Sequence, residues 1–235
     1  MNVPIIFYHK IDKPAADSLV RGGFTPPRRF ARQIAYLKEN GFGFYTAAEM
    51  IGHFRQHGEF PANGIALTFD DGWQDNYTNA FPILRRFGIK ATIFLVAGCI
   101  GEMSVKAAAA GEGPRAHLSR KQILEMSREG IEFGSHSLNH RLLPELPPEE
   151  VRLEVNEAKR RIEELTQKPC HTFTYPAGYY SEAAKTIVKE AGHIAAFSSV
   201  YGPSDHLDLY AINRTEILRR DRFLFQFARK VQDFR

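Results

Sequence analysis

Cysteine is scarce. Cys99 and Cys170 are the two present in 235 residues, and they form neither a CxxC pair nor a repeated pattern. This excludes a disulfide framework and a cysteine-built zinc site, and leaves a single bridge as the most the thiols can offer. No block of lysine and arginine builds a nucleic-acid stripe. The 31 basic and 27 acidic residues leave a formal +4, a mild excess spread along the chain, so nucleic acid is not an expected partner. No basic n-region leads into a long apolar h-region, because Tyr8, His9 and Lys10 interrupt the first apolar run at once. The most apolar internal stretch, ATIFLVAGCI at residues 91–100, has about half of the ~20 residues a spanning helix needs. No transmembrane segment is expected, and a cytoplasmic location follows unless a leader has been removed.

The chain does have an ordinary globular balance, 43% hydrophobic and 25% charged. Apolar, β-rich runs alternate with amphipathic ones along its length. Strands are expected within PIIFYH, GFYTA, GIALTFDD, ATIFLVA, IEFGSHS, HTFTYP, IAAFSSV and LYAINRTEIL. Helices are expected within residues 26–40, 77–88, 119–130, 147–167 and 181–192, where apolar positions such as Phe30, Ile34 and Leu37 recur at helical spacing. Ser119 and Ser181 stand as N-caps, and Gly88, Gly130 and Gly192 close helices. Such alternation predicts a parallel sheet with helices outside. About eight strands in this length suit a compact (β/α) barrel, with a doubly wound open sheet as the alternative. No linker interrupts residues 1–235, so one domain is expected. Residues 98–117, rich in small residues, are long for a connection and read either as a lid or as a surface insertion.

Three clusters fall at strand ends. In IALTFDDGW an apolar strand runs into Asp70 and Asp71, adjacent carboxylates that a cation would relieve, with Gly72 permitting a sharp exit. A solvated Asp-Gly turn reads the same way. In IEFGSHSLNH, His136 and His140 follow a strand, and on a helical turn their spacing would place both imidazoles on one face. An incidental pair has the same spacing, but two histidines with one aspartate make a facial set that leaves positions open for water and substrate. In HTFTYPAGYY a strand ends at Tyr175 and Pro176, and the following Ala177-Gly178 loop can expose a backbone N–H to a developing oxyanion. Tyr179 and Tyr180 serve either stacking on a sugar or packing.

Taken in order, TFDDG, HSLNH and FTYPAG resemble the NodB-homology polysaccharide deacetylases, carbohydrate esterase family 4, from His9 to about Arg214. The resemblance implies a single-domain distorted (β/α) barrel and hydrolysis of acetyl groups on glycans. It implies Asp71, His136 and His140 as metal ligands, Asp70 as general base, and the N–H near Ala177 as oxyanion donor. Two departures matter. The third motif commonly reads R-x-P-Y, and here Thr174 and Ala177 occupy those places; Arg214, in YAINRTEI, is the candidate replacement for the arginine. The family's usual C-terminal histidine is also absent, since no histidine follows His206. One branch, which includes biofilm poly-N-acetylglucosamine deacetylases, resembles a circular permutation that begins with a strand ending Tyr-His, as IIFYH does. In a barrel the first strand neighbours the last, so His9 is expected at the site mouth as the acid.

The implied cofactor is a divalent metal, zinc first, with nickel, cobalt and iron open to the same ligands. The implied substrate is an N-acetylated sugar or glycan. A metal-dependent amidase of small non-sugar amides and a non-catalytic glycan-binding module are the alternatives. FLFQFARKV, residues 223–231, reads either as a helix packing on the barrel or as an amphipathic membrane anchor.

Overall fold

In the computed structural model, which describes residues 3–16, 18–19, 21–104, 111, 113–199 and 207–232, the expected alternation builds one parallel sheet with helices around it. The strands are β1 (Ile5–Tyr8), β2 (Gly43–Tyr45), β3 (Gly64–Phe69), β4 (Thr92–Leu95), β5 (Met103–Ser104), β6 (Arg115–Ala116), β7 (Glu132–Ser135), β8 (Thr172–Thr174), β9 (Ala195–Ser198), β10 (Ile212–Asn213) and β11 (Thr215–Glu216). The helices are α1 (Pro27–Glu39), α2 (Ala47–His57), α3 (Phe81–Phe87), α4 (Arg120–Arg128), α5 (Pro148–Thr166), α6 (Glu182–Glu190) and α7 (Leu224–Val231). The sheet runs β10-β9-β8-β7-β4-β3-β1-β11, with β2 pairing the start of β3. β10 and β11 are halves of one strand, broken at Arg214. The first half pairs with β9 and the second with β1, so the last strand all but closes the ring. This is the barrel alternative, not the open sheet.

Alternation along each strand sorts the side chains. Ile6, Tyr8, Leu67, Phe69, Ile93 and Leu95 pack outward with Phe30, Ile34 and Leu37 of α1 and Leu84 of α3. Their neighbours face the barrel interior, where Phe94 meets Phe197 edge-on at 5.7 Å. Glu132 accepts hydrogen bonds there from Thr92, Thr172 and the Ala48 N–H. The interior is crowded: a Cβ on Gly134 would sit 2.5 Å from the Phe94 ring and 2.8 Å from the Thr172 hydroxyl. Continuing the inward rows past the strand ends reaches His9, Asp70 and His136.

Local chemistry sets the helix boundaries. Ser119 and Ser181 accept N-cap hydrogen bonds from the Gln122 and Ala184 N–H groups, and Gly88 closes α3 in the left-handed region at φ 63°. α2 lies outside the expected helices, although its signal is plain in the sequence. Thr46 and Glu49 form a reciprocal capping box.

Residues 98–117 are, where described, tied down. β5 and β6 pair antiparallel, and the hairpin is fastened to the loop after β3 by Leu118 N–H to Gly72 O and Gln74 N–H to Ala116 O, both 2.9 Å. Residues 105–110 and 112 of that segment lie outside the described residues. Both cysteines are free thiols. No described helix is long and apolar enough to cross a membrane.

Candidate active site

The C-terminal ends of the parallel strands surround a cleft of about 640 Å³ lined by His9, Lys10, Asp70, Asp71, His136, His140 and Ala177 among others. Every expected site residue except Arg214 lines this cleft, and Arg214 sits directly behind Asp70.

Asp71, His136 and His140 offer one ligand atom each, all within 4.8 Å of one another. Asp71 Oδ1 is 3.5 Å from Nε2 of both histidines, and its other oxygen accepts a 2.8 Å hydrogen bond from Trp73 Nε1. His136 is buried, with Nδ1 2.8 Å from the Thr174 carbonyl. That contact makes Nδ1 the protonated nitrogen and leaves the Nε2 lone pair for the cleft. Burial above all, and then the His140 charge, pushes His136 down to about 4, so the ring is neutral near pH 7. Burial raises the pKa of Asp71, but electrostatic attraction to His9, His136, His140 and Lys10 outweighs it and holds the carboxyl well below the usual carboxylate range. Two imidazole nitrogens and one carboxylate oxygen at this spacing fit a divalent cation.

The two histidines do not share a helical turn, as their spacing suggested. Residues 136–140 form a loop in which Ser137 and His140 take left-handed backbone angles, φ 63° and 55°. Glu154 of α5 holds the loop, accepting 2.8 Å hydrogen bonds from the Asn139 N–H and side-chain amide. Asp71 (φ 72°) and Ala177 (φ 54°) are also left-handed, so four of the six non-glycine residues described with positive φ lie at this site. Such backbone costs on the order of 1 kcal/mol or more per residue and is held by its surroundings.

Asp70 is buried and receives both arms of Arg214, Nη1 to Oδ1 at 2.8 Å and Nη2 to Oδ2 at 2.7 Å. Burial raises the pKa of Asp70, yet the Arg214 charge and hydrogen bonds prevail and hold it below the usual carboxylate range. The guanidinium also donates to the hydroxyls of Thr68 (3.1 Å) and Thr174 (2.8 Å) and lies 4.3 Å from the Phe7 ring centre. Thr174 therefore accepts from the arginine whose usual place it occupies. His9, at the end of β1, stands edge-on to Phe7 and has Nδ1 3.7 Å from Glu216 Oε1. The Ala177 N–H has no hydrogen-bond partner among the described residues.

Three contributors went unseen in the sequence. Glu216 beside His9 and Glu154 behind Asn139 are single carboxylates on elements whose neighbours only the fold reveals. His117 stacks on Trp73 at 4.3 Å, with Nδ1 3.0 Å from the Asp71 carbonyl.

Known proteins similar to this chain identify its family. The family model described as polysaccharide deacetylase matches residues 57–196. The chain belongs to the polysaccharide deacetylase family. It is a hydrolase acting on carbon–nitrogen bonds other than peptide bonds. It is 27% identical over 216 residues to "Putative polysaccharide deacetylase YxkH" of Bacillus subtilis (strain 168), covering 92% of this chain and 71% of that protein. It is 27% identical over 179 residues to the poly-beta-1,6-N-acetyl-D-glucosamine N-deacetylase of Staphylococcus aureus (strain MSSA476), covering 72% of this chain and 59% of that one. Among solved structures, the deacetylase PplD of Streptococcus pyogenes in complex with acetate superposes with TM-score 0.83 at 25% identity, covering 98% of both chains. This polysaccharide deacetylase thus has the nearly closed barrel of its relatives.

Proposed function

We propose that this deacetylase removes N-acetyl groups from an N-acetylated glucosamine glycan, with a divalent ion held by Asp71, His136 and His140. The observation that carries this reading is the convergence of those three ligand atoms beside the Asp70–Arg214 pair, with His9 on the same cleft. The relative named for poly-beta-1,6-N-acetyl-D-glucosamine supports the sugar. The ligand set favours zinc, with nickel, cobalt or iron accepted by the same atoms.

When bound, the ion polarises the acetamide carbonyl and lowers the pKa of water at the site. Asp70, kept ionised and aimed by Arg214, takes the proton from the attacking water. The Ala177 N–H, which has no partner among the described residues and sits in a left-handed turn, donates to the oxygen that gains charge as the carbonyl carbon becomes tetrahedral. His9, in its protonated form, gives a proton to the departing amine nitrogen, which otherwise leaves poorly, and Glu216 faces that imidazolium. Acetate and a free amino sugar result.

The test is acetate release from N-acetylglucosamine oligomers, on chelated protein and after adding back zinc, nickel or cobalt. Metal-restored release that disappears in Asp70→Asn is the expected result. Silence on every oligomer with metal still bound would move the reading to small amides or to glycan binding.

A further inference from the structure

The positive charge of the chain is not evenly spread, as composition had suggested. Arg219, Arg220, Arg222, Arg229 and Lys230 lie within residues 217–232, the end of the last described segment, and these sixteen residues hold a single acid, Asp221. That acid is buried and committed, accepting from Lys230 and from the Leu218 N–H, both at 2.7 Å. Arg29 of α1 donates to the Arg219 carbonyl at 2.9 Å, and Arg29, Arg32 and Arg222 line one small cleft with Phe223 and Leu224. Adding Arg29 and Arg32 brings the patch to a formal +6, more than the +4 of the entire chain. Its guanidiniums crowd one another: burial and then the charges of Arg219 and Arg222 lower the pKa of Arg29.

Apolar surface lies within this patch. α7 seats Phe227 and Val231 in the core, with the Phe227 ring 6.1 Å from Tyr36, so packing accounts for one face of the helix. It does not account for Phe223 and Phe225. Both are 61% exposed and stack on each other at 5.6 Å with 12° between planes. Arg229 is one turn on from Phe225 and shares its face.

We propose that Arg219–Arg229, with Arg29 and Arg32, form a docking surface for an anionic lipid bilayer. Guanidiniums without an ion pair among the described residues call for anions, and two polar-free aromatic rings call for an apolar medium; the interface of an acidic bilayer supplies both. A second copy of this chain would bring +6 against +6. The position has a consequence for the site. β11 ends at Glu216, beside His9, and the patch begins three residues later, at the cleft end of the barrel. Docking there holds the cleft mouth near the lipid surface.

The test is co-sedimentation of the full chain with phosphatidylcholine vesicles, with and without phosphatidylglycerol, and is independent of turnover. Pelleting is expected with the acidic vesicles alone, and release at high salt. Phe223→Ser/Phe225→Ser should weaken partitioning by on the order of ten-fold or more. Arg222→Gln/Arg229→Gln should weaken it by about five-fold per charge removed. Both variants should keep the wild-type far-UV spectrum and its turnover of soluble oligomers. Absence of pelleting at low salt, equal pelleting with neutral vesicles, or unchanged pelleting of both variants would overturn the proposal. So would a dimer abolished by the phenylalanine substitutions, or tight binding of a single-stranded oligonucleotide without vesicle binding.

Discussion

Arg214 grips both oxygens of Asp70 from 144 residues away in sequence, through hydrogen bonds of 2.8 and 2.7 Å made entirely inside the barrel. The strand that carries Arg214 is interrupted at that residue, between the half that pairs with β9 and the half that pairs with β1. The residue that separates these two half-strands therefore also aims the proposed base. Removing it leaves a buried carboxylate uncompensated, which costs about 3–5 kcal/mol. Arg214→Met should accordingly lose stability of that order in urea unfolding. Acetate release should fall by about a hundred-fold or more in whatever fraction stays folded. Unaltered turnover in folded Arg214→Met would remove it as a positioning residue.

His9 is assigned the proton that the amine needs, so its importance should depend on the leaving group. His9→Gln should slow acetate release from N-acetylglucosamine oligomers by about 100- to 10,000-fold. It should leave hydrolysis of p-nitrophenyl acetate within a few-fold of wild type, because p-nitrophenolate departs without a proton. Equal loss on both substrates would reassign His9 to binding or to architecture.

The ligand assignment can be read without any catalysis. An ion that binds the folded chain and not the unfolded one stabilises it by about 4 kcal/mol when present at a thousand times Kd. For a domain of this size that is a rise in Tm on the order of 10 °C. Zinc added to chelated wild-type protein should produce such a rise, and the same zinc added to His136→Ala should not. A full rise in that variant would exclude His136 from the metal site.

What could be read in advance followed the chemistry of short segments. The strands, the Ser119 and Ser181 caps and the Asp70-Asp71-Gly72 exit are set by residues within a few positions of one another. His9 and Arg214 were reached by a different route, from a motif missing its usual histidine and arginine, because a closed ring brings first and last strands together. The HSLNH loop shows where local reasoning stops. A four-residue spacing suggested a helical turn, whereas the segment is a loop with left-handed backbone at Ser137 and His140, fastened at Asn139 by a carboxylate from α5, Glu154, that no spacing encodes. The stacking of His117 on Trp73 and the exposure of Phe223 and Phe225 were likewise settled by packing at a distance.

Another consequence of packing at a distance is His193, which lies outside the cleft and sets a limit on acid stability. Its ring is 2% exposed and lies 5.5 Å from Phe173, and burial above all, then the Lys159 charge, pushes its pKa down to about 3. In the unfolded chain the same imidazole takes up a proton near its ordinary value of about 6.5. Between these two values the unfolded state holds the extra proton, so stability must fall as pH drops from about 6.5 toward 3, by at most about 1.4 kcal/mol per pH unit. Above 6.5 both states are neutral at this position and the contribution is complete. In chelated protein, urea midpoints at about pH 7, 6 and 5 should therefore decline more steeply for wild type than for His193→Leu, which has no proton to take up. A constant offset from the changed packing would leave that difference in slope intact. Parallel declines would show that His193 finds a way to be charged in the native core, and would shift the acid sensitivity to the buried carboxylates.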